Sequence, residues 1–360
     1  MTRSKLAICL GLSTLAISGC EDVFEQLLAA LADLNVLGVM PSDGYSDPAS
    51  PDYGKVTMAL GGETDDGNGI APPGKDIEIE PDDGTEVDEG DWAEFPGYSE
   101  GNFVLLMDGS GSVEATDQCD ACPTDPNRLR VEAAKALALE LASCSDNKWN
   151  MSLMEFGGGS NSAAYTDTNV LADWTTDGQA VADAADTLGS YMGTPLWNSA
   201  YEVLVALDAE VTEAYGKPSE RDKAGDDTPE FGVGIVIMSD GEDTESGRIL
   251  KDVINKALET GVPVHTIGFG PASDSFKDYA DDAAVGDLRT LSLETGGYYG
   301  FVETVDDLPE LTQAIAGALC GGHTELYATF EEPAPSGERV TGKVRLAGTP
   351  LSVPFAFRAP

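Results

Sequence analysis

The sequence predicts a doubly wound α/β domain, with a mostly parallel sheet and helices on both faces, followed by a small C-terminal β extension. Two continuous apolar runs, 102–107 (NFVLLM) and 231–238 (FGVGIVIM), each end at a polar turn, which is typical of buried parallel strands. Segments with apolar residues at helical spacing lie between and after them. Strands that alternate with helices predict a parallel sheet covered on both faces, with right-handed crossovers.

The predicted elements follow one another in the order that this fold requires. Residues 128–144 carry apolar side chains at helical spacing and predict a helix of about four turns. Strands at 151–156 and 170–174 are bridged by Gly, Ser and Asn residues, which indicates antiparallel pairing at that edge. Further helices are predicted at 179–188, 196–214, 249–260, 288–294 and 308–319, and further strands at 262–269 and 298–302.

The N-terminus has the features of an export signal. Arg3 and Lys5 precede an apolar run, Leu6–Ile17, that is too short to span a bilayer, so residues 1–19 are predicted to be a signal peptide. The following residues, Ile-Ser-Gly-Cys ending at Cys20, resemble a bacterial lipobox. We therefore expect Cys20 to be lipidated and the protein to be anchored in the cell envelope, at the outer membrane, its periplasmic face or the cell surface. An ordinary signal peptide with a chance cysteine is the alternative.

Residues 20–40 are predicted to form a lipid-anchored N-terminus with a short amphipathic helix. The apolar residues at helical spacing are Phe24, Leu27, Leu28, Leu31 and Leu34. A segment of linker is the alternative.

Residues 41–98 are predicted to form an extended acidic linker. Between 41 and 100 there are 17 acidic residues, 2 lysines, 7 prolines and 10 glycines, so little apolar surface is available for burial. Within this segment, residues 53–60 alternate in the manner of a strand that could pair with the C-terminal tail. The main domain is placed at 99–320, and residues 321–360, which alternate like a β ribbon, form the C-terminal extension.

The charge of the chain disfavours polyanionic partners. Its formal net charge is −44, from 64 acidic and 20 basic side chains, so nucleic acid and anionic membrane surfaces are repelled by most of the exterior. A hydrophobic content of 41% is sufficient for at least one large core. We therefore expect a folded protein that contacts a membrane only through its lipid anchor.

Four cysteines remain after the signal peptide and the lipidated residue: Cys119, Cys122, Cys144 and Cys320. An even number in an exported protein favours disulfides. A zinc site at Cys119 and Cys122 is disfavoured because no second close pair of cysteines or histidines follows. His265 lies within an apolar strand and is interpreted as a core histidine.

Polar residues with oxygen-bearing side chains follow both buried strands. The first strand leads into Asp108-Gly109-Ser110-Gly111-Ser112, and the second leads into Ser239-Asp240-Gly241. A third loop, Gly193-Thr194-Pro195, precedes a helix. In doubly wound sheets, ligands bind at the carboxyl ends of the strands, and a carboxylate with hydroxyls two residues apart suits a hard cation. Turn formation by the serines and helix capping by Asp240 are the alternative interpretation.

These three loops, in this order, resemble the metal-ion-dependent adhesion site of the von Willebrand factor type A domain family. The resemblance covers residues 99–320 and all five motif positions. It implies that Ser110 and Ser112 bind a divalent metal directly, Thr194 directly or through water, and Asp108 and Asp240 mostly through water. Mg²⁺ is expected first, with Mn²⁺ or Ca²⁺ as alternatives. The implied function is non-enzymatic binding of a protein partner whose Asp or Glu carboxylate completes the metal site.

The resemblance also bears on the cysteines. In the resembled fold the first and last helices pack side by side, which implies a disulfide between Cys144 and Cys320. Cys119 and Cys122 would then pair with each other in the loop after the motif, where the sequence departs from the family.

Three other functions are alternatives to metal-dependent binding. A phosphohydrolase of the haloacid dehalogenase type requires a D-x-D motif, and here Ser110 takes the place of the second carboxylate. A serine hydrolase is disfavoured because Ser110 lacks the G-x-S-x-G context. A passive structural lipoprotein would show no dependence on metal.

Overall fold

The computed structural model describes residues 31–42, 44–64, 69–98, 100–114, 123–143, 148–158, 168–215, 231–273, 282–302, 305–347 and 349–359. Within these ranges the chain forms three β-sheets and seven α-helices. The strands are β1 (Leu31–Pro41), β2 (Lys55–Thr64), β3 (Gly69–Ile70), β4 (Ile77–Pro81), β5 (Val87–Pro96), β6 (Glu100–Asp108), β7 (Trp149–Phe156), β8 (Thr168–Thr175), β9 (Phe231–Ser239), β10 (Val264–Gly268), β11 (Tyr299–Phe301), β12 (Gly322–Phe330), β13 (Arg339–Leu346) and β14 (Ser352–Arg358). The helices are α1 (Gly111–Glu114), α2 (Leu129–Ser143), α3 (Gly178–Ala185), α4 (Leu196–Tyr215), α5 (Leu250–Thr260), α6 (Asp282–Thr295) and α7 (Leu308–Gly321).

The central sheet has six strands in the order β11-β10-β9-β6-β7-β8. All neighbours are parallel except β7 and β8, which pair antiparallel, as the sequence predicts. The chain builds outward from β6 to β7 and β8 on one side and then returns to build β9, β10 and β11 on the other. The strand order therefore reverses between β6 and β9.

Helices cover both faces of the central sheet. Alternate side chains of β6 point to opposite faces, so Phe103 and Leu105 belong to the core under α2 and α7, whereas Val104 and Leu106 belong to the core under α4, α5 and α6. The predicted doubly wound α/β fold is confirmed.

The first and last long helices pack side by side. The Thr312 hydroxyl near the start of α7 donates to the carbonyl of Ala133 near the start of α2, at 3.1 Å. The two helices therefore contact each other in their amino-terminal halves.

The remaining strands form a second region, which we call the β unit: β1–β5 together with β12–β14. One sheet has the order β1-β2-β12-β5, with the short β3 beside β2, and the other has the order β14-β13-β4. Apolar side chains of both sheets form a shared core that includes Met58, Leu60, Leu326, Val344 and Phe357. The C-terminal strands predicted from alternation are present, but they share sheets with the N-terminal segment.

The helix predicted within residues 20–40 is wrong over the described part of that segment. Residues 31–41 form β1, which pairs antiparallel with β2, while residues 1–30, including Phe24, Leu27 and Leu28, lie outside the described residues. Leu34 and Val39 are buried in the core of the β unit. Pairing with a neighbouring strand and burial of these side chains prevail over the weak helical spacing.

The linker predicted at 41–98 is also wrong, because this segment contributes β2, β3, β4 and β5. In β4 the buried Ile77 and Ile79 alternate with the exposed Glu78 and Glu80, so the acidic residues occupy only the solvent side. The strand predicted at 53–60 is confirmed, since β2 pairs with β12 as the alternation suggested.

The β unit contacts the central sheet where β1 lies against β11. A Cβ atom at Gly38 would lie 2.9 Å from the carbonyl oxygen of Tyr299 and one at Gly300 would lie 3.1 Å from the carbonyl oxygen of Leu37, so the two backbones touch. No helix in the described ranges is both long enough and apolar enough to cross a bilayer.

Candidate metal centre

The candidate site lies where the strand order of the central sheet reverses. β6 ends at Asp108 and β9 ends at Ser239, and the two strands are adjacent and parallel. Their carboxyl ends open on a crevice between loops that leave in opposite directions, which is where doubly wound sheets bind ligands.

The turn after β6 presents two hydroxyls on one side. The Ser110 amide donates to Asp108 Oδ1 at 2.7 Å, and the Oγ atoms of Ser110 and Ser112 are 3.0 Å apart. Gly109 permits this turn because a Cβ there would lie 3.1 Å from the carbonyl oxygen of Phe156. Two hydroxyl oxygens at this spacing can bind one cation together.

Asp240 completes the arrangement from the neighbouring strand. The Ser112 hydroxyl donates to Asp240 Oδ1 at 2.9 Å. Asp108 Oδ2 accepts from the Ser239 hydroxyl at 2.7 Å and from the Asp240 amide at 3.4 Å. The structure thus joins four of the five residues singled out in the sequence, Asp108, Ser110, Ser112 and Asp240, in one hydrogen-bonded network.

Thr194 reaches the same face from the loop before α4. Its backbone is fixed by Thr244, four residues after Asp240: the Thr194 amide donates to Thr244 Oγ1 and the Thr244 amide donates to the Thr194 carbonyl, both at 2.9 Å. The same loop joins the first turn, because the Tyr191 amide donates to the Gly109 carbonyl at 2.6 Å. Thr194 is therefore placed by both loops that carry the other four residues.

The two carboxyl groups are buried side by side. Asp108 is 0% exposed and Asp240 is 1% exposed. Burial and the neighbouring Asp108 raise the pKa of Asp240 to about 7, and burial also raises the pKa of Asp108. A cation beside these oxygens would offset the cost of ionising both groups.

The donor set fits a hard divalent cation. Carboxylate and hydroxyl oxygens are the ligands that Mg²⁺, Mn²⁺ and Ca²⁺ prefer, and neither sulfur nor imidazole is among the five side chains. Within the described ranges, no group of three or more His, Cys, Asp or Glu side chains is arranged to hold a metal. A metal at this site would therefore take several of its ligands from the hydroxyls.

Thr124 belongs to the site but was missed by the sequence reasoning. Its hydroxyl donates to Asp240 Oδ2, and its amide donates to the Ser112 carbonyl at 3.2 Å. Thr124 thus holds the second carboxyl oxygen of Asp240 while Ser112 holds the first. Nothing in the spacing of Thr124 from the motif distinguishes it from an ordinary loop threonine.

A buried arginine stabilises the turn after β6. Arg130, fully buried on α2, donates from Nε to the Asp108 carbonyl at 3.1 Å and pairs with Asp125 at 3.0 Å. It also forms an ion pair with Glu114 at the end of α1. The sequence contains one signal for this role: Arg130 lies three and four residues before Ala133 and Ala134, on the apolar face of the helix.

Glu155 on β7 is a second buried charge that the sequence reasoning missed. It accepts hydrogen bonds from the Tyr191 hydroxyl at 2.6 Å, the Gly189 amide at 2.7 Å and the Asn169 side chain at 2.9 Å. Burial, together with Glu155, raises the pKa of Tyr191 to about 12. These contacts hold the 189–194 loop beside Gly109.

The family model of the von Willebrand factor type A domain matches residues 102–314, which is more than half of the chain. The chain belongs to the von Willebrand factor type A domain family. Residues Asp108, Ser110, Ser112, Thr194 and Asp240 all lie within the matched region.

Several solved structures match the chain at low sequence identity. A von Willebrand factor type A protein from Catenulispora acidiphila is 11% identical, with 92% of this chain and 74% of that chain covered and a TM-score of 0.41. The pilus adhesin SpaC from Lactobacillus rhamnosus GG is 11% identical, with 85% and 47% covered and a TM-score of 0.44, so this chain spans about half of SpaC. Manganese-loaded TRAP from Plasmodium vivax is 17% identical, with 76% and 98% covered and a TM-score of 0.39. No curated protein sequence matches the chain.

The cysteine predictions fall mostly outside the described residues. Cys20, Cys119, Cys122 and Cys144 are not described, whereas Cys320, near the end of α7, is disulfide-bonded. The side-by-side packing of α2 and α7 is one part of the expectation on which the pairing of Cys144 with Cys320 rests. The pairing itself stays a prediction, as do the signal peptide at 1–19 and the lipobox.

Proposed function

We propose that this von Willebrand factor type A domain binds a divalent metal through Asp108, Ser110, Ser112, Thr194 and Asp240, and through it a protein partner. The observation that carries the proposal is the network of two buried carboxyl groups and two paired hydroxyls where the strand order reverses. Only oxygen ligands are offered there, at a face that three loops share.

The hydroxyl and carboxylate side chains have different roles at the site. Ser110 and Ser112 offer neutral oxygens at 3.0 Å from each other, while Asp108 and Asp240 supply the negative charge that a cation requires. When bound, the metal supplies a Lewis acid that can hold a carboxylate of the partner. Because the direct ligands are mostly neutral, the charge of the ion stays available to that carboxylate.

Mg²⁺ is proposed first, with Mn²⁺ and Ca²⁺ as alternatives. Few protein ligands and several waters suit the small octahedral ion better than Ca²⁺, which takes six to eight oxygens. The partner is proposed to be a protein that offers an Asp or Glu side chain. With a net charge of −44, the chain would repel such a group in the absence of a cation.

Isothermal titration of the purified protein with Mg²⁺, Mn²⁺ and Ca²⁺ tests the metal site. We expect one binding event that Asp108→Ala and Asp240→Ala abolish. Asp243→Asn is the matched control, since Asp243 follows Asp240 by three residues and accepts from the Trp197 amide and Ser246 instead. Equal metal uptake by wild type and both alanine variants would overturn the proposal.

Capture of partners with and without EDTA tests whether a protein partner binds through the metal. We expect at least one envelope or extracellular protein to be retained by wild type with Mg²⁺ and lost with EDTA or with Asp240→Ala. Identical recoveries under all conditions would favour a passive structural role.

We also propose that the protein is a lipoprotein of the cell envelope, anchored through Cys20. Cell fractionation tests this: wild type should partition with membranes and Cys20→Ser should not. A wild-type protein found only in the soluble fraction would contradict the anchor.

A further inference from the structure

A cavity lies between the central sheet and the β unit, apart from the candidate metal centre. It has a volume of about 170 Å³ and is lined by residues of both regions, among them His265 at the start of β10, Ile315 on α7, and His323 and Glu325 on β12. The metal centre is at the carboxyl ends of the strands, whereas this cavity is near their amino ends. His265 and His323 are the only two histidines of the chain.

The hydrogen bonds around the cavity fix the protonation of both rings. The Tyr298 amide donates to His265 Nδ1 at 3.2 Å, so the proton of the neutral His265 ring lies on Nε2. The Tyr298 hydroxyl donates its single proton to Glu325 Oε1 at 2.5 Å. Because Tyr298 Oη can then only accept from His323, His323 Nε2 carries a proton and donates it to Tyr298 Oη at 2.6 Å. The His265 ring is 8% exposed, and no described residue accepts from its Nε2.

The cavity carries one negative charge. Glu325 accepts from the hydroxyls of Tyr298 and Tyr327, but no described lysine or arginine forms an ion pair with it. Burial lowers the pKa of His265 to about 4 and also lowers the pKa of His323, so both rings are neutral near pH 7. The Glu325 carboxylate is therefore not neutralised by either histidine.

Aromatic rings form much of the wall and the entrance. Phe95, Tyr98, Tyr298 and His323 line the cavity, and Phe95 stacks on His323 with 4.9 Å between ring centroids. Phe95 and Tyr98 are each 36% exposed, so the cavity opens to solvent beside them. Aromatic faces carry negative charge density and attract ammonium groups.

The size of the cavity limits the ligand. A cavity of roughly 150 Å³ accommodates benzene, which has six non-hydrogen atoms. A volume of about 170 Å³ therefore suits a molecule of similar size. A single carboxylate, aromatic walls and a net charge of −44 on the whole chain favour a cation over a neutral or anionic ligand.

We propose that this cavity binds a small organic cation, an alkylated ammonium ion of about the size of choline, with Glu325 as its counter-ion and the rings of Phe95, Tyr98 and Tyr298 as its walls. The unpartnered Nε2–H of His265 can donate to an oxygen of the same ligand. This inference is independent of the metal site.

Histidine-selective ¹⁵N labelling of the full chain provides a direct test, because both histidines line the cavity and no others contribute signals. Choline is titrated in buffer with EDTA, and its neutral isostere, 3,3-dimethylbutan-1-ol, is titrated in parallel. We expect saturable shifts of both imidazole signals with choline and at least about tenfold weaker binding of the isostere. Equal binding of the two compounds, or no saturable shift with choline, would overturn the proposal.

Variants of the wall test the assigned roles. Glu325→Gln keeps a hydrogen-bond acceptor but removes the charge, and it should weaken choline binding at least about tenfold. Asp88→Asn is the matched control, because it removes an exposed carboxylate from the neighbouring strand β5, opposite Thr329, and should leave binding unchanged. Retention of full choline affinity by Glu325→Gln would refute the assignment of Glu325 as the counter-ion. The ligand comparison on wild type decides the proposal even if a variant does not fold.

An alkylated ammonium ion can be free or part of a lipid headgroup. Sedimentation with phosphatidylcholine vesicles separates the two sources. Co-sedimentation that choline competes away would identify a headgroup, and choline binding without co-sedimentation would identify a free cation.

Discussion

The central sheet and the β unit bury their strands in different ways. β6 is covered by helices on both faces, and every residue from Gly101 to Asp108 is buried. β5 is an edge strand of the β unit, and most of its residues, including Asp88, Glu89 and Asp91, are exposed. Acidic residues on an edge strand discourage pairing with another chain. A strongly acidic segment can therefore still form strands when its charges lie on a solvent face or an open edge.

Ion pairs provide the sharpest contrast between the two regions. Arg130 and Asp125 are both 0% exposed, whereas Arg345 and Glu80 in the β unit are 41% and 50% exposed. Arg130→Met would leave a buried Asp125 without its partner and should lower the free energy of unfolding by roughly 3–5 kcal/mol. Arg345→Met is the matched control and should leave stability nearly unchanged. Urea denaturation measures the free energy of unfolding of both variants. Similar losses in the two would contradict the expected difference between the buried and the exposed ion pair.

His265, where the two regions meet, should make stability depend on pH. Its folded-state pKa is lowered to about 4 by burial and by nearby His323, so the unfolded state takes up a proton at higher pH than the folded state. Stability is therefore full above pH ~6.5 and is lost as the pH falls toward 4, by roughly 2 kcal/mol at pH 5. The loss between pH 8 and pH 5 should be about 2 kcal/mol smaller in His265→Gln. Equal losses in wild type and variant would contradict this.

Gly38 tests the contact between the two regions. A methyl group at this position would lie 2.9 Å from the Tyr299 carbonyl oxygen, so β1 must move away from β11 in Gly38→Ala. We expect a loss of roughly 1–3 kcal/mol in the free energy of unfolding. An unchanged urea midpoint would show that β1 does not depend on its contact with β11.

Gly286, within a helix of the central region, is a glycine at which alanine should have the opposite effect from that at Gly38. A Cβ atom there meets nothing within 4 Å, and the residue lies inside α6. Gly286→Ala should therefore raise the free energy of unfolding by roughly 0.5–1 kcal/mol. A decrease measured by the same denaturation assay would mean that this turn of α6 is not helical in solution.

The sequence predicts the central region well for a physical reason. Its strands are covered on both faces, so they are continuous apolar runs that few other structures would explain. The motif residues lie at the ends of those runs, and the topology then brings Asp108 and Asp240 together. One predicted boundary is wrong, since α6 begins at Asp282 rather than at 288. Gly286 and a nearby acidic residue interrupt the apolar spacing there, so the first turns of the helix were not predicted.

The β unit and the supporting residues of the site were not predictable in the same way. β4 and β5 expose one face or an edge, so their composition resembles that of a linker. β1 owes its conformation to its pairing with β2 and its contact with the distant β11, and its own apolar spacing predicts neither. Thr124 and Glu155 act through contacts with Asp240 and Tyr191 that no local pattern reveals.

Crystals of the protein grown with Mn²⁺ test the position of the metal centre, because manganese gives an anomalous signal that locates the ion without reference to its ligands. We expect one strong anomalous peak within coordination distance of the hydroxyls of Ser110 and Ser112, beside Asp240. We also expect the peak to be absent from crystals of Asp240→Ala grown in the same way. A strong peak elsewhere, with none between these residues, would contradict the assignment of the metal centre.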